Sequence, residues 1–174
     1  MISDIMVTTL LKRGFGLKPP NTQKKENLEA GTAYFMKENK PYESYKTFSE
    51  LSKRRNILII TRVHPSRLKK RFDFGSEILW LSTVETKCSI EPTQLSKMAF
   101  IISHFVKTNG GGAVLLDGIE YLILQNDFDS VLKFICSVSD YVSLHNGILL
   151  LPLNPLALSR SQMKMLEREL ESIN

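Results

Sequence analysis

Cysteine, tryptophan and long apolar runs are what this chain of 174 residues has least of. It holds two cysteines, Cys88 and Cys136, and one tryptophan, Trp80. Two distant thiols with no CxxC pair exclude a disulfide framework and speak against a metal site, so both are expected as buried thiols. No apolar run reaches the roughly 18 residues that a membrane-spanning helix needs. The first residues also lack the basic-then-apolar order of a secretory signal, and a cytoplasmic protein without a membrane span is expected. No serine, threonine or cysteine stands in a nucleophile setting, and His104 and His145 fall on helical stretches, so triad chemistry has no support.

What is present is an ordinary globular composition with an uneven charge. A hydrophobic share of 43% against 24% charged fits one soluble domain with a well-buried core. Residues 1–71 carry 16 basic and 6 acidic side chains, net +10, and the remainder 7 and 12, net −5. The basic excess gathers in Lys53-Arg54-Arg55 and Arg67-Leu68-Lys69-Lys70-Arg71. Such runs can neutralise phosphates. They lack aromatic platforms, however, and basic residues also accumulate at helix C-termini for macrodipole reasons, so nucleic acid is the weakest of the partner readings.

Residues 1–28 read as an amphipathic helix followed by a linker. Ile2, Ile5, Met6 and Leu10 recur at helical spacing, and Gly14, Gly16 and Pro19-Pro20 then separate that helix from a domain over 29–174. These four apolar residues are the candidate partner-binding positions, toward a second copy of the chain or another protein, with packing on the chain's own domain or a poorly ordered tail as the other readings.

From Gly31 onward strands and helices alternate. Strands are expected at Thr32–Lys37, Ile57–Thr61, Ile78–Ser82, the run Gly112–Leu122, and Ile148–Leu153. Helices are expected over Tyr42–Arg54 with Tyr45, Phe48 and Leu51 on one face, Pro65–Arg71, Glu91–Thr108, Phe128–Leu144, and a last one capped by Ser159 or Ser161. This pattern predicts an α/β fold, a three-layer doubly wound, mostly parallel five-stranded sheet. The second, fourth and fifth strands are continuous apolar runs and belong in the centre, with the first and third at the edges, which favours the order 3-2-4-5-1.

Ligands of such sheets sit outside the carboxyl ends of the strands. That places Arg62 and His64 beside Asp117 and Glu120, as a ligand site or as an ion-pair network that fixes loops. An Arg62 pairing with Asp117 or Glu120 is expected, and Trp80 is expected in the core.

The strings Ile60-Thr61-Arg62 with His64-Pro65, Trp80-Leu81-Ser82, Leu115-Leu116-Asp117-Gly118-Ile119-Glu120-Tyr121-Leu122 and Asn126-Asp127-Phe128 resemble the archaeal family catalogued as domain of unknown function 835, over roughly Glu29 to Asn174. The resemblance implies a signalling or motility-control module and no stated activity. More distantly the order of elements resembles the RecA and KaiC type of P-loop ATPase, with Asp117 at the Walker B position. A P-loop needs glycines that let backbone N–H groups approach phosphates, followed by Lys and Ser or Thr. Here Glu38-Asn39-Lys40-Pro41-Tyr42-Glu43-Ser44-Tyr45-Lys46-Thr47 contains no glycine, and Arg62 stands where a catalytic glutamate would be. The expectation is a degenerate, non-enzymatic RecA/KaiC-like domain without cofactor or metal, self-associating and acting through protein contacts. The rival is a small-ligand or nucleotide sensor built on Arg62, His64, Asp117 and Glu120.

Overall fold

Seven parallel strands carry the fold in the computed structural model, which describes residues 28–173. In chain order they are β1 (Thr32–Lys37), β2 (Ile57–Thr61), β3 (Ile78–Leu81), β4 (Ser89–Ile90), β5 (Ala113–Leu116), β6 (Ile148–Leu153) and β7 (Glu171–Ser172). Between them lie α1 (Tyr42–Leu51), α2 (Pro65–Lys69), α3 (Leu95–Thr108), α4 (Ile119–Gln125), α5 (Phe128–Leu144) and α6 (Arg160–Glu169). Ile2, Ile5, Met6 and Leu10 lie outside the described residues.

The strand order is β4-β3-β2-β5-β6-β1-β7. Two strands therefore join the five expected ones. β4 and β7 hold two residues each, too few to show a hydrophobic period, and they cover β3 and β1, which are not outer edges as expected. Every residue of β2, β5 and β6 is buried, which is why these runs show no polar alternation. Register is continuous through the centre, where Ile59 faces Leu115 and Leu115 faces Leu150.

Alternation along the strands makes three layers. Tyr34, Met36, Ile57, Ile59, Leu115 and Leu150 pack against Tyr45 and Phe48 of α1 and Leu68 of α2. The alternate residues, among them Phe35, Leu58, Ile60, Leu116 and Leu149, meet α3, α4, α5 and α6 through Met98, Ile102, Leu122, Ile135 and Leu166. Filling both faces with large side chains supplies most of the stabilisation, at about 1.5 to 3 kcal/mol for each fully buried Leu, Ile or Phe.

Several element ends differ from the sequence expectation. The fourth strand stops at Leu116, and Ile119–Gln125 is a helix, because Gly118 at φ +97° turns the chain out of the sheet. Ile119 and Leu122 then bury one helical face. α3 begins at Leu95 rather than Glu91, since Ser89-Ile90 pairs with Trp80-Leu81 and Glu91 to Gln94 form a turn. Both thiols are half-buried rather than buried. Among the described residues no helix is long and apolar enough to cross a membrane.

Candidate functional site

β2 and β5 are neighbours, and the backbone N–H of Asp117 donates to the carbonyl of Ile60 at 2.9 Å. That bond carries the ladder one residue past β5 and sets the Asp117 side chain beside Thr61, the last residue of β2. Above them α1 lowers Tyr45. The Tyr45 hydroxyl donates to Asp117 Oδ2 at 2.6 Å, and the Thr61 hydroxyl donates to the same oxygen at 2.8 Å. Thr61 Oγ1 in turn accepts the N–H of Val63 at 2.9 Å. Phe72 and Phe74 pack against the Tyr45 ring, with centroids 5.7 and 6.3 Å away, and hold its tip over the carboxylate.

All three side chains are withdrawn from water: Tyr45 is 4% exposed, Thr61 0% and Asp117 9%. Burial pushes the Asp117 pKa up, and hydrogen bonds from Tyr45, Thr61 and the backbone of Gly118 and Arg62 oppose that rise. Burial, with the charge of Asp117 beside it, likewise pushes the Tyr45 phenol far above its ordinary value. The cluster is a closed donor–acceptor set. Its carboxylate has partners already, and a carboxylate so enclosed serves as an anchor between β2, β5 and α1.

The expected network of Arg62, His64, Asp117 and Glu120 does not form. Arg62 is exposed and forms no ion pair with either carboxylate. Its guanidinium lies 3.9 Å from the centroid of the Tyr121 ring, and its Nη1 donates to the Leu81 carbonyl at 2.5 Å. The reason is the helix after Gly118, which brings Tyr121 rather than a carboxylate to the guanidinium. Glu120 points the other way and accepts the N–H of Asn154 at 2.6 Å, fastening α4 to the loop after β6. His64 caps α2: its Nδ1 lies 2.8 Å from Ser66 Oγ and accepts the Ser66 N–H at 3.3 Å. Its ring meets Trp80 edge-on at 4.9 Å. Trp80 is half-buried at this rim rather than in the core, its Nε1 donating to the Arg62 carbonyl at 3.2 Å.

The turn between β1 and α1 contains a further charge that sequence reasoning missed. Glu38 folds back onto the start of α1, where its carboxylate accepts the N–H of Glu43 at 2.9 Å and that of Ser44 at 3.0 Å, together with the Ser44 hydroxyl. A helix N-terminus favours an anion there. This chain supplies its own. Tyr45 and Thr61 were missed as well, although an inward tyrosine on a helix must place its hydroxyl against a partner, and that signal pointed to a buried acceptor.

No group of three or more His, Cys, Asp or Glu among the described residues is arranged to hold a metal ion. Two clefts, of about 640 and 220 Å³, both open at the amino ends of the strands, around Arg55 and Asn56.

A family model described as "Protein of unknown function (DUF835)" matches residues 36–170. A search of curated proteins finds no match. Among solved structures, one described as a structural study of a protein from Pyrococcus horikoshii OT3 is similar at 15% identity with a TM-score of 0.59, covering 83% of each chain. At that identity the likeness concerns the fold alone.

Proposed function

Since the chain belongs to this family of unknown function over residues 36–170, the fold brings no activity with it, and we propose a non-catalytic protein-interaction or scaffold module. One observation carries the reading. At the carboxyl ends of the strands, where a sheet of this kind binds ligands, the Glu38 carboxylate already occupies the N-terminus of α1. In the RecA and KaiC-like ATPases that the order of elements resembles, the corresponding helix end receives phosphate. We take the domain to derive from that fold, with phosphate replaced by an internal carboxylate and the Walker B-like Asp117 tied to Tyr45 and Thr61. What the carboxyl edge presents outward is Arg62 on Tyr121 and His64 on Trp80, and Arg, Tyr and Trp are the residue types that dominate protein interfaces. The role in archaeal signalling or motility control, and self-association as part of it, rest on the resemblance of the strings around Arg62, Trp80 and Asp117.

The test is nucleotide binding and turnover by the full chain. Magnesium with ATP, ADP or GTP is expected to leave the melting temperature unchanged and to release no phosphate. A stabilising shift with ATP that disappears in Asp117→Asn establishes the nucleotide-sensor reading in its place.

A further inference from the structure

The larger cleft lies at the end of the sheet opposite the cluster just described, and the reading above does not bear on it. It is an open cleft of about 640 Å³ whose lining includes Lys53, Arg54, Arg55, Asn56 and Asn109 with Gly110 to Gly112. That is the size of a small-molecule site. Three of its lining residues are basic and none is acidic.

Those cations have a structural reason. α1, α3 and α5 all end at the cleft, through Ser52, Asn109 and Asn146. Each helix C-terminus carries about −0.5 of an elementary charge, so the three together bring about −1.5 against three full positive charges. Arg55 meets part of that need, since its Nη1 donates to the Gly111 carbonyl at 2.8 Å. Lys53 and Arg54 remain exposed. Among the described residues Lys53 pairs with Glu50 outside the cleft, at 2.9 Å, in a water-exposed pair of the weakly held kind. Arg54 forms no ion pair among the described residues. The cleft therefore holds more positive charge than its helix ends neutralise.

We propose that this cleft binds a small polyanion of linked phosphates. Lys53 and Arg54 supply the mobile cations, the guanidinium fork of Arg54 matching two phosphate oxygens, beside the turn Gly110 to Gly112. The turn is pinned in place. Gly111 sits at φ +82°, and an added Cβ would collide with the Asn146 carbonyl. A nucleic-acid backbone is disfavoured because Arg67, Lys69, Lys70 and Arg71 line neither cleft, so the two basic clusters do not make one continuous track.

The experiment adds sodium tripolyphosphate to the full chain, with binding followed by calorimetry and by amide shifts of the glycines. Saturable binding is expected, with the Gly110, Gly111 and Gly112 amides shifting. Lys53→Gln with Arg54→Gln should weaken it about tenfold or more, as the loss of charge-assisted hydrogen bonds requires. Both side chains are exposed, so the fold survives the change. Lys69→Gln with Lys70→Gln is expected to leave the affinity unchanged. Absence of saturation at low ionic strength, or equal weakening by the two double variants, overturns the proposal.

Discussion

Tyr45 and Asp117 lie 72 residues apart in sequence and share a hydrogen bond of 2.6 Å at the carboxyl edge of the sheet. With Thr61 on the same oxygen, that bond ties α1 to the two central strands and lets a carboxylate sit where water does not reach. Without donors a buried charge of this kind costs several kcal/mol, about 1.5 to 3 for each hydrogen bond to a charged group.

The cluster leaves a signature in the pH dependence of stability. Burial raises the folded-state pKa of Asp117 above its unfolded value, so the folded chain holds that proton more tightly. The resulting stability is present below the unfolded pKa, about 3.9, and is lost as pH rises through the folded one. In urea unfolding from about pH 4 to 8, the wild type should lose stability relative to Asp117→Asn as pH rises. Tyr45→Phe removes a donor that holds the pKa down, and the loss should then extend to higher pH. Parallel curves for wild type and Asp117→Asn would exclude a raised Asp117 pKa.

Glu38 is expected to matter for the start of α1 and little elsewhere. Pro41 precedes the helix without a side-chain cap of its own, so Glu38→Ala leaves the amides of Glu43 and Ser44 unsatisfied, a loss of about 1 kcal/mol by comparison with other helix caps. Glu38→Gln keeps an acceptor and loses the charge on the helix end, for about 0.3 to 1 kcal/mol. Hydrogen exchange should quicken at Glu43 and Ser44 in Glu38→Ala while the strand amides of Ile59 and Leu115 keep their protection. Uniform loosening of all of them would mean that Glu38 supports the whole sheet instead.

Long apolar runs were legible in the sequence, and side-chain partnerships were not. Ile57–Thr61, Ala113–Leu116 and Ile148–Leu153 announce buried parallel strands by composition, and Asp117 follows as the residue at a strand end. β4 escaped because two residues have no period, and its pairing with Trp80-Leu81 is a tertiary event. The Arg62 site departs from the sequence expectation for one local reason. A strand continuing through Gly118 keeps Glu120 near β2, whereas the left-handed backbone of Gly118 starts α4 and rotates Tyr121 into that place. Asp-Gly followed by apolar residues at a spacing of three, Ile119 and Leu122, was the available clue.

Arg62→Ala should consequently cost about 1 to 2 kcal/mol, the sum expected for one cation–π contact and one hydrogen bond at a partly exposed site. Removing one partner of a buried ion pair would cost about 3 to 5 kcal/mol. Denaturant midpoints at constant m separate the two values. Arg62→Lys should not restore the loss, because an ammonium cannot lie flat on Tyr121 while donating to the Leu81 carbonyl.

Gly118 tests the same corner from the backbone side. An added Cβ would lie 2.8 Å from Arg62 Cγ, in addition to the φ of +97°. Gly118→Ala therefore carries two separable costs, about 1 to 2 kcal/mol for a left-handed backbone with a side chain and a further amount for displacing Arg62 from Tyr121. Only the second disappears when Arg62 is already alanine. The double variant Gly118→Ala with Arg62→Ala should thus be more stable than the sum of the single losses predicts, by about 0.5 to 3 kcal/mol, the coupling usual for residues in contact. Leu81 Cδ2, 3.3 Å from the added Cβ, is flexible enough to move in either background and does not alter the sign. Strict additivity of the two substitutions would show that the whole cost of Gly118→Ala is backbone strain, and that Arg62 is free to leave Tyr121 at no expense.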